Sequence, residues 1–478
     1  MALGSIRETS NILDGRRAST SDSVGASTVS DRRRFGMELT YLGAAVVVFV
    51  SVAVPQALLG SLLLSLVLLF AALYDRIPLL MMTWGVVMPL TGTVFLGYIP
   101  SATLYSFAIL VGLAGRATLR RRPVQVPLGL FSLSFVLLIW FGTARPFNGT
   151  AILAGFSMAT LPAMVGLLRM ANDSGSSPQR AVQFFAFGLT LSVGRALLEV
   201  NSVLSTDYQQ YLEYRVFDSS LGSSNYAAAW FAILGVLLLS LALSPQRRLV
   251  GSLAATRLIF LALAVPFLVA PFWIGSRGSS LAIAVALLFL LASAKSASLL
   301  ARATVVALVV IVTTVATVSG SFFILSRLGT SDAFSDVTSG RVILWQATIE
   351  IIEAHPLMGL GPGKVGDYLL EQTGVVESHN VVIYVLASMG IFIGVFYLYS
   401  VRPRPLGVWS VVSAPMLAAV IISMVEPIAF GYSGGVVWAG LLGCHWGLTR
   451  ASRQVGHEPH RGNAEATIDT SIAQEAAR

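Results

Sequence analysis

Apolar residues in this chain run in long blocks, and the polar residues gather between them. A helix needs about 20 apolar residues to cross a hydrocarbon core. Fourteen runs approach that length: 38–55, 56–74, 78–97, 100–116, 124–143, 147–168, 181–200, 224–244, 257–275, 279–294, 301–325, 380–399, 409–428 and 433–449. In lipid each run must pair its own backbone groups, which a helix does. The pattern therefore predicts an all-α fold, a polytopic transmembrane bundle of about 12–14 spans. Pro55 divides the first two runs, so whether they form one span or two stays open.

The polar segments order these spans. Residues 1–36 are rich in Ser and Thr, close on Arg32-Arg33-Arg34, and lack the pattern of a cleaved signal peptide. They read as a disordered cytoplasmic tail, as do residues 450–478. With alternating spans, 24 of the 31 Lys and Arg fall on the inner side. Six lie outside (Arg145, Arg215, Arg277, Arg327, Arg341, Lys364), and Arg195 lies within a span. That bias fits basic loops facing the cytoplasm. The expected layout is spans 1–11 over 37–326, an outer loop over 327–379, and spans 12–14 over 380–449.

The outer loop carries its own helical pattern, Val342, Leu344, Trp345, Ile349, Ile351 and Ile352. Ser339 is placed to cap it and Pro356 to end it. A short amphipathic helix on the membrane surface is expected, then a tight turn at Gly359-Leu360-Gly361-Pro362-Gly363, then a return to the bilayer at His379. A second outer segment, from Asn201 to Ser223, is also longer than a connector.

Composition narrows the function classes. Hydrophobic residues make up 55% of the chain and charged residues only 11%. Soluble domains carry about 25% charged residues, so water cannot solvate this surface. The net charge of +8 would suggest nucleic acid in a soluble protein. Here the basic residues sit in short loops, and membrane orientation accounts for them. Cys444, the single cysteine, excludes an intrachain disulfide and a cysteine metal cluster. No nucleotide or zinc motif appears, so neither cofactor nor metal is expected.

The outer side collects the residues able to do chemistry. His379-Asn380 stands where the long loop re-enters the membrane, and Arg277 lies in the turn Gly275-Ser276-Arg277-Gly278. Arg341 opens the loop helix, while Arg195 and Glu426 lie near the outer ends of spans. Charges at such positions face the protein interior and mark function. Converging arginines hold a diphosphate bidentately, a histidine takes a proton from a hydroxyl, and a carboxylate orients that imidazole. Each residue also has a plainer role: helix capping for His379, snorkelling for Arg277, solvation for Arg341 and an aqueous edge for Glu426.

The order Arg341, Trp345, Pro356-Leu357-Met358-Gly359-Leu360-Gly361-Pro362-Gly363, His379-Asn380 and Gly390 resembles the core of the O-antigen ligase and O-antigen polymerase family. Ser276-Arg277-Gly278 and Ser224-Asn225 resemble further marks of that family, although Ser224 stands where Pro is common and Ile393 where a second Gly is common. The resemblance implies a metal-independent inverting glycosyltransferase of GT-C type. Its donor would be a glycan on undecaprenyl diphosphate, and its acceptor a glycan, lipid or protein hydroxyl. His379 would be the base, and Arg277, Arg195 and Arg341 would bind diphosphate. Asn380, Gly361 and Gly363 would line the substrate loop. Glu426 is added by position as the partner of His379. Other polysaccharide assembly proteins are further expected partners. The competing class is a transporter of lipid-linked sugar or a small anion, whose site would sit between broken helices near the midplane.

Overall fold

The apolar runs fold as helices. The computed structural model describes residues 57–87, 94–95, 99–120, 126–143, 149–172, 178–206, 218–219, 221–244, 253–293, 303, 306–307, 341–375, 378–403, 410–426 and 432–456. The chain divides into two units, Met1–Gln56 and Ala57–Arg478, and every described residue belongs to the second. The run 38–55, nearly all of the run 301–325, Ser339, the N-terminal tail and residues 457–478 lie outside the described residues, while residues 450–456, expected in the C-terminal tail, continue the last helix.

Among the described residues nine helices precede the long loop: α1 (Ala57–Leu73), α2 (Ile77–Val86), α3 (Ser101–Arg120), α4 (Leu128–Thr143), α5 (Gly149–Asn172), α6 (Pro178–Thr206), α7 (Ser224–Leu243), α8 (Leu253–Ile274) and α9 (Arg277–Ser293). The loop supplies α10 (Arg341–Ala354) and α11 (Pro362–Thr373). Then come α12 (Val381–Ser400), α13 (Ser413–Ser423) and α14 (Tyr432–Gly456). Two-residue strand pairs, Val94–Phe95 with Ile99–Pro100 and Asp218–Ser219 with Gly222–Ser223, are the β-structure among the described residues. Among the described residues five segments are long and apolar enough to cross a membrane: Ala102–Leu119, Pro178–Val200, Ser224–Leu243, Leu253–Ile274 and Val381–Ser400. This is a multi-pass membrane protein of helical architecture.

Twelve of the fourteen predicted runs coincide with one of these helices. The run 78–97 is the main departure, because its helix ends at Val86. Pro89 follows shortly, and the residue before a proline is pushed out of the helical region. The run 409–428 is likewise helical only over Ser413–Ser423.

Small residues set the packing. A Cβ on Gly188 would stand 2.0 Å from Met82 O, so α2 and α6 touch through their backbones. Ser192 Oγ donates to Gly85 O and Val86 O across the same seam. At one end of the bundle Arg116 pairs with Asp75 at 2.7 Å and is buried. α7 is apolar nearly all round and sinks into the centre, packed on α6, α8, α9 and α13. A helix buried on every side needs no polar face.

The long loop is a helical hairpin with its own core. Leu344, Ala347, Thr348 and Ile351 point inward from α10 at helical spacing. Ala347 and Ile351 meet Val365 and Leu369 of α11 and Ala387 of α12. Ile349, expected in the apolar stripe, is exposed. The helix α11 was not expected, since Gly-Pro-Gly reads as a turn. Pro362 instead begins it, where a fixed φ and a missing N–H suit the first turn. Gly374, at φ 75°, ends it.

The hairpin locks into a break in α12. Gly390 has φ 73° and ψ 173°, which interrupts the helix. Leu360 N donates to Ala387 O at 2.8 Å, and Gly361 N to Ser388 O at 3.0 Å. Ile391 N donates back to Pro356 O at 2.8 Å. The loop thus supplies the hydrogen bonds that the helix gives up at its break.

Candidate functional site

Glu426 closes the chain segment that leaves α13, and it is buried with 4% of its surface exposed. Its backbone N–H donates to Ile422 O at 2.7 Å, which fixes the carboxylate beside the helix end. A buried carboxylate demands partners. Arg341 Nη2 donates to Oε1 at 2.5 Å. His379 Nδ1 lies 2.9 Å from Oε2. One carboxylate therefore gathers the first residue of α10 and the residue before the Asn380 cap of α12.

This geometry fixes the imidazole tautomer. An ionised carboxylate only accepts, so Nδ1 carries the proton it donates to Glu426. The Nε2 lone pair then faces away, and no described residue hydrogen-bonds to it. The His379 side chain keeps 24% of its surface open. An imidazole held at Nδ1 with Nε2 free is arranged to accept a proton from a hydroxyl.

The backbone around His379 is built for that pose. His379 sits at φ 51°, a left-handed conformation that is costly for a residue with a Cβ. Ser378, fully buried, donates from Oγ to Asn380 O at 3.0 Å. Asn380 N donates to the same hydroxyl at 3.4 Å. Asn380 Oδ1 in turn accepts from Val382 N and Ile383 N and caps α12. His379 is pinned from both sides. Sequence reasoning missed Ser378, although a serine directly before His-Asn was its visible signal. Ser378→Ala is expected to cost about 1 kcal/mol of stability, since the turn that holds His379 loses both hydrogen bonds of the hydroxyl. Thermal unfolding of the detergent-extracted variant checks this, and an unchanged midpoint would give the serine no part in holding the turn.

The other expected residues fall as follows. Arg277 is exposed as the first residue of α9. A Cβ on the next residue, Gly278, would lie 2.6 Å from Val425 Cγ2, so α9 begins against the strand of chain that delivers Glu426. Arg195 is half-exposed on α6 and pairs with Glu199 one turn on, at 2.9 Å. No described contact brings Arg195 to the Glu426 cluster. Trp345 lies one turn along α10 from Arg341, and its buried Nε1 has no partner among the described residues. Gly361 donates its N–H to the α12 break and Gly363 lies in the first turn of α11. Cys444 is buried, and no group of metal-binding side chains occurs among the described residues.

Residues 262–398 match the family model described as O-antigen ligase. The matched stretch runs from within α8 to near the end of α12, so it holds Arg277, Arg341 and His379 but neither Glu426 nor Arg195. No curated protein matches the chain.

Proposed function

We propose, taking the O-antigen ligase domain over 262–398 as the premise, that this membrane protein transfers glycan from a polyprenyl-diphosphate donor to an acceptor hydroxyl. The site would face the outer side of a bacterial cytoplasmic membrane, with both termini inside. The observation that carries this reading is the buried Glu426 bridging Arg341 and His379.

The chemistry is a single displacement. The acceptor hydroxyl oxygen attacks the anomeric carbon, and its proton passes to His379 Nε2. The bond between that carbon and the diphosphate oxygen breaks, and the diphosphate leaves with the electron pair. One displacement inverts the anomeric centre. Glu426 holds the imidazole and stabilises the imidazolium that forms, as carboxylates do in other acid–base pairs. Arg341 neutralises Glu426 and holds it in place. Arg277, at the neighbouring helix start, is the diphosphate ligand, since a guanidinium matches phosphate oxygens bidentately. Arg195 is a second ligand only if a bound donor draws it from Glu199. The positive charge of Arg277 beside the departing diphosphate does the electrostatic work, so no metal is required.

The transporter reading gains nothing from the break in α12. Transporters leave the backbone groups of a broken helix for the substrate or coupling ion. Here the carbonyls of Ala387 and Ser388 accept from Leu360 and Gly361.

Glu426→Gln tests the proposal. The amide keeps the shape but loses the charge that anchors Arg341 and stabilises the imidazolium. Transfer by purified protein is expected to fall on the order of 10²–10⁴-fold while donor binding persists. Wild-type turnover in this variant would remove Glu426 from the mechanism. Arg341→Gln combined with Glu426→Gln is expected to cost less than the sum of the two, because the residues form one unit.

A further inference from the structure

Two tight turns meet beside the Glu426 cluster. The first follows α8, where Gly275 N donates to Phe272 O at 3.1 Å and Ser276 N to Pro271 O at 3.0 Å. Buried Ser276 then donates from Oγ to Ser279 Oγ at 3.1 Å, which ties this turn to the start of α9. The second follows α13. Met424 N donates to Ile421 O at 3.1 Å, Val425 N to Ile422 O at 2.9 Å, and Glu426 N to the same carbonyl at 2.7 Å. Both turns are closed by backbone hydrogen bonds, and each ends on a charged residue, Arg277 or Glu426.

The contact falls on the neighbours of those two residues, Gly278 and Val425. A Cβ on Gly278 would stand 2.6 Å from Val425 Cγ2 and 3.6 Å from Val425 Cβ. Carbon atoms in ordinary contact lie about 3.5–4.0 Å apart, so an alanine at 278 would overlap its neighbour by about 1 Å. Val425 branches at Cβ and is stiff at χ1. Local backbone does not call for glycine here. Residue 278 lies inside α9 with no positive φ, and alanine is the better helix former. What the missing side chain permits is the close approach of α9 to the turn that delivers Glu426, and α9 packs along α13 behind it.

We infer that Gly278 is a positioning residue, whose contact with Val425 sets the separation between the Arg277 start of α9 and the Glu426–His379 pair. The inference rests on the proposed reaction, in which Arg277 holds the diphosphate and His379 takes the hydroxyl proton. Attacking oxygen and leaving oxygen must then line up on opposite sides of one anomeric carbon. A misplacement of about 1 Å in such an arrangement costs up to about 10²-fold in rate. A methyl group at 278 forces a shift of that size and leaves the chemistry of every side chain in the site unaltered.

Transfer kinetics of the purified full-length protein test this, with lipid-linked glycan extracted from the host lacking the gene as donor. Gly278→Ala, Val425→Ala and the double variant are compared. Gly278→Ala is expected to lower kcat on the order of 10–10²-fold, with KM for the donor and the thermal midpoint close to wild type. Adding Val425→Ala removes the methyl group that the new Cβ meets, and is expected to recover kcat about tenfold over Gly278→Ala alone. Wild-type kcat in Gly278→Ala would overturn the inference, as would a double variant no faster than the single one. A kcat that falls only in step with a lowered thermal midpoint would also overturn it, leaving the glycine a packing role. His379→Ala, measured alongside, separates two failures. If it loses transfer and Gly278→Ala does not, the positioning role alone fails. If it transfers at the wild-type rate, the proposed reaction falls and the positioning role falls with it.

Discussion

Replacing Gly390 with alanine is expected to cost about 4 kcal/mol or more and to remove most folded protein from the membrane. Two effects add. The residue holds φ 73°, where a Cβ costs about 1–2 kcal/mol by itself. The new Cβ would also stand 2.1 Å from Leu357 O and 2.6 Å from Met358 N, both backbone atoms that cannot swing aside. Yielding would break the hydrogen bonds between the loop and the helix break. Gly359→Ala should behave alike, since its Cβ would meet the backbone of residues 388–390 at 2.5 Å. Gly374→Ala separates the two causes. Gly374 shares the positive φ, but nothing lies within 4 Å of its Cβ position, so a loss of only about 1 kcal/mol is expected. Monodispersity and thermal stability of detergent-extracted protein measure all three. A Gly390→Ala protein as stable as Gly374→Ala would refute the account of the break.

His379→Ala is expected to fold normally and to lose transfer by about 10²–10⁴-fold. The side chain is partly open and its one described bond goes to Glu426, so little packing is lost. On the proposed mechanism, what disappears is the acceptor for the hydroxyl proton. Without it the attacking oxygen must shed its proton to water, or attack as a poor nucleophile. The diphosphate remains a good leaving group, so a residual rate persists. On the proposed mechanism donor affinity should be nearly unchanged, because Arg277 and not the histidine is the proposed diphosphate ligand. A fall in donor affinity with kcat intact would instead make His379 a binding residue.

Much of the fold was legible because hydrophobic run length is a direct physical constraint. The runs at 224–244 and 257–275 became α7 and α8 with nearly the predicted bounds. What run length does not carry is how a helix meets its neighbours. Nothing within Ser388-Met389-Gly390-Ile391 announces a break, since the positive φ is imposed by the loop docked against it. The helix α11 was better signalled than it was read: Pro362 and Gly374 bracket it with ordinary start and stop residues. In the site, Arg341, His379 and Glu426 stand far apart in sequence, and periodicity cannot join them. Sidedness alone placed them at one end of the bundle. The choice of Glu426 as the partner of His379 rested on that, and the two side chains are in contact. The family resemblance implies a diphosphate role for Arg341, and the bond described for it goes to the Glu426 carboxylate. The carboxylate's burial explains this, and burial is a tertiary property that the sequence does not display.

The most direct test follows glycan in the cell. The gene is deleted in its own host and restored as wild type or as His379→Ala at matched protein levels. Surface glycan and lipid-linked glycan are then extracted and resolved on one gel. A transferase using His379 as base predicts that the variant matches the deletion, with surface glycan lost and lipid-linked glycan accumulated. Single repeat units in the trapped material would point to polymerisation, and finished chains to ligation. Surface glycan from His379→Ala equal in amount and length to that of the wild type would contradict the account.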